Sequence, residues 1–259
     1  MVSEALIFAL SGFITGIITG LVGASAIVAF APLILLFFNY GAFTLIGVSL
    51  VLDVFVSLAA LIIYKRYEHM DVKTGLYLSI LAIVGAVVGS CISKSISNPN
   101  LVGVTSLITA FTGIVLFRKK IDLKKEVHTL KNYSKKRFWI AIVLSFFVGL
   151  LGGSLGAAGG VTVLLLLIFI LGFETHYAIG TSIFVMFFIA LFGSIAHVYY
   201  INQIAFKWGL LIFAVLGGIA GAFLSSKFAN LIKEKNLNKL IGVLLFILGI
   251  ATFLHRIVL

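Results

Sequence analysis

Eight long apolar stretches follow one another along this chain, separated by short polar segments. They cover residues 5–38, 42–64, 74–93, 100–117, 138–172, 177–200, 208–230 and 240–254. Most have a length of about 20 residues, which is what a helix needs to cross a bilayer. The first and fifth stretches hold about 35 residues each, which is too long for a single crossing. The pattern predicts an all-α integral membrane protein.

Glycine and other small residues interrupt both long stretches near the middle, at 20–26 and at 152–160. Glycine lets a chain leave the helix and turn. Such an interruption is tolerated at membrane depth where the backbone is buried in protein or lines a cavity. Each long stretch therefore predicts a broken hairpin whose second arm is short and re-entrant. Counting both arms gives about five helical segments in each half of the chain.

The two halves repeat each other at a spacing of 133 residues. The aligned positions are three glycines of each broken stretch and a short element after it: Gly16, Gly20 and Gly23 with Gly149, Gly153 and Gly156, and Ile46-Gly47-Val48-Ser49 with Ile179-Gly180-Thr181-Ser182. A twofold repeat in an apolar chain is typical of secondary transporters, which bind substrate between the repeats near the middle of the membrane. An odd number of segments per half predicts inverted repeats, residues 1–117 and 138–259.

Composition excludes a soluble domain. Apolar residues make up 62% of the chain and charged residues 10%, and the mean hydropathy is +1.25. Soluble domains carry roughly a quarter charged residues, so a surface of this kind requires lipid as its solvent. We therefore expect a multi-pass protein of the cell membrane. The sequence leaves open whether it forms a homo-oligomer.

The net charge of +11 is concentrated in one segment. Nine of the 19 lysines and arginines lie between Arg118 and Arg137, which indicates a basic cytoplasmic linker, residues 118–137, and not a surface for nucleic acid. With this linker inside, the inverted arrangement leaves only Lys94, Lys207 and Arg256 outside. An arrangement in which each long stretch crosses once leaves more basic residues outside, so charge favours inversion.

The glycine breaks are the first candidate for a binding site. A helix that begins after such a turn directs its positive dipole end and free N–H groups at one point. No Lys or Arg lies near the middle of an apolar stretch, so the backbone would have to supply the attraction for an anion. The candidate substrate-binding residues at the breaks are Gly23, Ser25, Gly156, Gly159 and Gly160. The alternative, that these glycines only allow close helix packing, stays open.

Three hydroxyl groups follow the breaks. Ser49 aligns with Ser182, which is preceded by Thr181, and all three lie near the start of the helix after each hairpin. Hydroxyls in this position can donate to a bound anion, or they can bond to carbonyl groups of their own helix. We include Ser49, Thr181 and Ser182 as candidate substrate-binding residues, with both alternatives open.

Asp53 is the only acidic residue deep in an apolar stretch. It follows Ser49 by four residues, so both lie on one face of a helix, and its aligned partner is Met186. Carboxyl groups inside membranes are costly and usually functional, which makes Asp53 a candidate for proton coupling. The alternative is a neutral carboxyl group hydrogen-bonded to a neighbouring helix.

An intramembrane enzyme is poorly supported, because Asp53 and His197 are the only candidates for a catalytic pair and lie in different halves. The sequence contains no metal-ligand cluster, nucleophile triad or phosphate loop, so we predict no catalytic residue, metal or cofactor. A secondary transporter of a small anion explains the repeat and the breaks best. A channel, or a transporter of a cation or another small solute, remains an alternative.

The chain resembles the TauE/SafE sulfite exporters, also called toluene-sulfonate uptake permeases. Their signature reads Gly-x-Gly-Gly-Gly, then a proline after four intervening residues, then Ala-x-Gly-Thr-Ser. The second half has Gly156, Gly159 and Gly160 in register, with Ala158 and Leu165 as replacements, followed by an intact element at 178–182. The first half retains its glycine and proline at the same spacing, as Gly23 and Pro32, but reads Ser25-Ala26-Ile27 in place of three glycines.

The resemblance implies a membrane transporter of small sulfur-containing anions, such as sulfite, sulfonates or thiosulfate. Transport would be coupled to a proton or driven by the membrane potential. The residues alone indicate a small anion, and only the resemblance adds sulfur. The direction of transport is not apparent from either.

Overall fold

The computed structural model describes residues 2–38, 40–93, 111, 114, 134–156, 158–201, 206–234, 236–237, 239–244, 246–247 and 250. Within these residues every extended regular element is helical, which confirms the prediction of an all-α protein. Six of the helices are long and apolar enough to cross a membrane. The predicted crossings at 100–117 and 240–254 and the linker at 118–137 lie largely outside the described residues.

The helices are numbered in chain order within the described residues. They are α1 Val2–Val22, α2 Ile27–Leu35, α3 Ala42–Arg66, α4 Val72–Ser93, α5 Lys135–Leu155, α6 Ala158–Leu165, α7 Thr175–Ile201 and α8 Trp208–Leu231. A π-helical segment, Leu166–Leu171, continues α6. The short helices α2 and α6 are the second arms of the two predicted hairpins, and α2 with nine residues is only about 13 Å long.

Both hairpins break in the same way. Helix α1 ends before Gly23 and α5 ends before Gly156, and each glycine has φ +71°, a left-handed conformation that side chains disfavour. The N–H of Gly23 donates to the carbonyl of Thr19 at 2.7 Å, and that of Gly156 donates to the carbonyl of Gly152 at 2.9 Å. Glycine is therefore required at these two positions by backbone geometry, and the breaks fall where the repeated glycines predict them.

The first helix of each half packs against the last described helix of the other half. In the α1–α8 pair, a Cβ atom added at Gly12 would collide with the carbonyl oxygen of Ala214, and one added at Gly16 would collide with that of Gly218. Residue numbers rise together along both helices, so α1 and α8 run in the same direction. This is the close helix contact that small residues allow in membranes.

The α4–α5 pair has the corresponding arrangement. A Cβ atom added at Gly149 would collide with the carbonyl oxygen of Ala82, and one added at Gly153 would collide with that of Ala86. These two helices also run in the same direction. The pairs α1–α8 and α4–α5 are thus related by exchange of the two halves.

The central helices α3 and α7 are the most buried of the six crossing helices. Tyr64, near the end of α3, lies beside Gly180 near the start of α7, and Leu50 lies beside Gly193. Residue numbers rise in opposite directions along α3 and α7, so these two aligned helices are antiparallel. Inverted repeats would produce this antiparallel arrangement. How the halves are oriented in the membrane, and the division at 117 and 138, stay predictions.

Candidate functional site

The two breaks meet in the centre of the helical bundle. A Cβ atom at Gly160 would collide with the carbonyl oxygen of Gly23 and would lie 2.6 Å from Sδ of Met186 on α7. A Cβ atom at Gly23 would lie 2.8 Å from Oγ of Ser182. The backbone of the first break is therefore enclosed by the start of α6 and by α7.

The second break is enclosed by the first half in return. A Cβ atom at Gly156 would lie 3.2 Å from Cδ1 of Ile27, the first residue of α2, and 3.3 Å from Cγ2 of Ile46 on α3. One at Gly159 would make only ordinary contacts, at 3.5 Å from Cα of Gly152. The structure thus brings Gly23, Gly156 and Gly160 into one central region, with Gly159 turned toward its own hairpin.

Asp53 binds the first break. Its side chain is completely buried, its Oδ1 accepts the backbone N–H of Ala26 at 2.7 Å, and its Oδ2 is hydrogen-bonded to Oγ of Ser25. Ala26 is the N-cap residue of α2 and makes no side-chain cap of its own. A carboxyl group from α3 therefore caps α2, at the helix end where the dipole favours negative charge.

The described residues of the second break contact no such group. Met186 occupies the position in α7 that aligns with Asp53 in α3, and its sulfur packs against Gly160. The two breaks therefore share backbone geometry and differ in chemistry: a carboxyl group contacts one, and a thioether contacts the other.

The three candidate hydroxyl groups have three different environments. Oγ of Ser182 faces the first break and donates to the carbonyl of Ile179 at 2.8 Å. Oγ of Ser49 is fully buried and has no hydrogen-bond partner among the described residues. Oγ1 of Thr181 accepts the N–H of Asp71 at 3.0 Å and so contacts the loop between α3 and α4. Ser182 thus lies toward the first break, and Thr181 faces away from it. Ser49 lies on the face of α3 that carries Asp53.

His197 lies far from Asp53. It is buried, its Nδ1 lies 3.1 Å from the carbonyl oxygen of Gly193, and its ring stacks on Phe43 with a centroid distance of 4.8 Å. Phe43 precedes Asp53 on α3 by ten residues, or about 15 Å. The geometry thus gives no support to a catalytic pair of Asp53 and His197. Among the described residues no group of three or more metal-binding side chains occurs.

A polar cluster that the sequence analysis did not select lies at the α3–α4 loop. Nδ1 of His69 lies 2.5 Å from Oδ1 of Asn230, and the rings of His69 and His176 are 5.0 Å apart. Glu234 accepts hydrogen bonds from both the N–H and the hydroxyl of Thr175 nearby. These residues come from three separate parts of the sequence, and no spacing along the chain reveals that they meet.

The chain is similar to known proteins over most of its length. The family described as Sulfite exporter TauE/SafE matches residues 8–252. The chain is 26% identical to the probable membrane transporter protein YdhB of Bacillus subtilis, over 86% of this chain and 89% of that protein. It is 24% identical to the probable membrane transporter protein YunE of the same organism, over 92% and 93%.

A probable membrane transporter protein of Xylella fastidiosa is 25% identical over 93% of this chain and 91% of its own length. No solved structure matches the chain.

Proposed function

The chain belongs to the Sulfite exporter TauE/SafE family, and on that basis we propose that it is a secondary transporter of a small anion containing sulfur, such as sulfite, a sulfonate or thiosulfate. It is a multi-pass integral membrane protein of a transporter family. The names of its relatives support the class of function, membrane transport. The identity of the anion is supported by the family description alone.

The contact between the two breaks is the observation that carries the proposal. Gly160, near the start of α6, contacts the first break at Gly23 in the buried centre of the bundle. Ile27, the first residue of α2, contacts the second break at Gly156. The N-terminal ends of helices attract anions, and transporters built from repeats bind substrate at broken helices near the midplane. We assign the substrate to this region, with backbone N–H groups and the hydroxyls of Ser25, Ser49 and Ser182 as donors.

The glycines and Thr181 have supporting roles in this proposal. Gly23 and Gly156 permit the turns, and Gly160 permits the close approach of the second break to the first, whereas Gly159 packs within its own hairpin. Thr181 acts indirectly, because its hydroxyl binds the N–H of Asp71. It ties the start of α7 to the α3–α4 loop, so that the element carrying Ser182 moves with that loop.

Alternating access is the proposed mechanism. The reciprocal pairs α1–α8 and α4–α5 each contain helices from both halves and are in backbone contact through glycine. Pairs packed this closely move as rigid bodies, so rocking of one pair against the other would open the central site first to one side and then to the other. The central helices α3 and α7 form the surface between them.

Proton coupling is proposed to involve Asp53. The other titratable side chains on the helices around it lie toward the helix ends within the described residues: Glu4 of α1, Tyr64, Lys65 and Arg66 of α3, His176, Tyr177, His197 and Tyr199 of α7, and Lys227 of α8. Tyr64 donates a hydrogen bond to the carbonyl of Gly20 at 3.1 Å, and Asp53 is the acidic group in contact with the first break among the described residues. A proton on Asp53 and an anion nearby would favour each other, which is the thermodynamic basis of symport.

Flux measurements in proteoliposomes test the proposal. Purified protein is reconstituted, and uptake of sulfite, thiosulfate, an alkyl sulfonate and chloride is followed at several concentrations. We expect saturable uptake of at least one sulfur anion in preference to chloride. Uptake that rises linearly with concentration would indicate a channel, and uptake of none of these anions above that of empty liposomes would contradict anion transport.

A further inference from the structure

We propose that the carboxylate of Asp53 is an internal ligand, which occupies at the N-terminus of α2 the position that the substrate anion takes during transport. The inference rests on the proposed function and identifies what the anion must displace. It makes the first break a site that is filled by the protein itself whenever substrate is absent.

The geometry at Ala26 is that of a bound anion. Both oxygens of Asp53 are engaged, one with the N–H of Ala26 at 2.7 Å and one with the hydroxyl of Ser25. A small oxyanion at a helix N-terminus would use the same two donors. Because the α3 backbone holds Asp53, this ligand can leave the two donors without leaving the protein.

A second helix in the same protein has an ordinary cap for comparison. Asp71 precedes α4, and its oxygens accept the N–H of Thr74 at 3.1 Å and the hydroxyl of Thr74 at 2.8 Å. That cap is local, as is usual for helices, because donor and acceptor are three residues apart. Asp53 instead reaches α2 from another helix, across 27 residues of sequence, and from a fully buried position.

Ser49 supplies an independent indication of a ligand. Its hydroxyl is completely buried and has no partner among the described residues, which is costly for a polar group. It lies one turn before Asp53 on the same face of α3 and one turn after Ile46, which contacts the second break at Gly156. Helical spacing therefore puts this unsatisfied donor on the face of α3 that contacts both breaks, and an anion bound there would satisfy it.

The second repeat is consistent with a single internal ligand. Met186 aligns with Asp53 and cannot compete with an anion, since a thioether carries no charge. The two halves would therefore bind substrate unequally. The second break needs only to approach the anion, whereas the first must also release its own carboxylate.

Anion affinity in purified protein tests the inference separately from transport. Binding of sulfite, thiosulfate and methanesulfonate is measured by calorimetry for the wild type, Asp53→Asn, Asp53→Ala and the control Asp71→Asn. We expect the affinity for a bound probe to increase from wild type to Asp53→Asn and again to Asp53→Ala, by about tenfold in total. A change of this size is expected when one charged group that competes with the anion for its hydrogen-bond donors is removed. Asp71→Asn keeps the backbone N–H that binds Thr181 and removes only a helix-capping charge elsewhere, so it should leave the affinity unchanged.

A further substitution tests the role of Ser49. In the Asp53→Asn background, Ser49→Ala should reverse part of the gain in affinity, because it removes the free donor.

If the wild type binds a probe and Asp53→Asn binds it with equal or lower affinity, the internal-ligand proposal is wrong while anion transport stands. The same conclusion follows if Asp71→Asn raises affinity as much as Asp53→Asn does. If no variant binds any probe, both proposals fail. Asp53→Asn keeps an acceptor for Ala26, so the test does not depend on whether Asp53→Ala folds.

Discussion

The carbonyl oxygen of Gly23 lies 2.0 Å from the position that a Cβ atom would take at Gly160. The turn of the first hairpin and the start of the second arm of the other hairpin are therefore in direct backbone contact. Gly160 cannot carry a larger side chain without separating the two breaks, and a side chain at Gly23 would press against Ser182 of α7. The centre of the protein depends on this contact.

Substitution of Gly160 tests this contact. Gly160→Ala should lower the melting temperature and abolish transport, because the added methyl group collides with Gly23 and Met186. Overpacking of this kind costs about 1–3 kcal/mol of folding free energy. Gly159→Ala is the matched control: its methyl group has room, and alanine favours helix. Thermal unfolding in detergent and uptake in liposomes measure both effects, and equal behaviour of the two variants would refute the contact.

The hydroxyls of neighbouring residues on α7 should have different roles. Thr181→Val removes the acceptor for the N–H of Asp71 and should cost about 1 kcal/mol of stability. Ser182→Ala removes only a bond within its own helix and should leave the melting temperature nearly unchanged, but reduce anion uptake. Valine occurs at the aligned position 48, so its shape suits the fold. Loss of stability in Ser182→Ala without loss of uptake would reverse this assignment.

Transport should depend on pH through Asp53. Protonation removes the charge that would oppose an anion at the first break, so wild-type uptake should rise as the pH falls. Asp53→Asn is neutral at every pH and should transport with a flat profile. Initial rates of uptake between pH 5 and pH 8, with the membrane potential clamped, measure this dependence. An unaltered profile in Asp53→Asn would make Asp53 a structural cap and would end the coupling proposal.

Labelling of single cysteines tests the inverted arrangement. In a Cys91→Ala background, Lys125→Cys in the linker and Lys235→Cys near the end of the second half should both react only from the cytoplasmic side. Lys207→Cys should react from the opposite side. The native cysteine is exposed and has to be removed first. Labelling of residues 125 and 235 from opposite sides would exclude two inverted repeats.

The sequence was sufficient to predict the six described crossing helices and both breaks, because these depend on local properties. Apolar length predicts a crossing helix, and the repeat at 133 residues marks Gly23 and Gly156 as the same structural position twice. The same residues carry the resemblance to the family. Each of these features can be recognised within a few dozen residues of chain.

Contacts between elements were not predictable in the same way. The bond from Ser25 to Asp53 joins residues 28 apart, and that from Asp71 to Thr181 joins residues 110 apart. Hydrophobicity indicates that Asp53 is buried but not which segment it contacts. The cluster of His69, His176 and Asn230 was missed for the same reason, since only the packing of α3, α7 and α8 brings it together.

The exchange of partners between the halves has a consequence for biosynthesis. Gly12 of α1 meets Ala214 of α8, so α1 acquires its main neighbour only after some 200 further residues have been made. Until then α1 lies in the bilayer without its partner helix, and its glycine surface faces lipid. Contacts so distant in sequence form late in folding. A nascent chain truncated before Trp208 should accordingly be a substrate for membrane quality-control proteases, however complete its first half is.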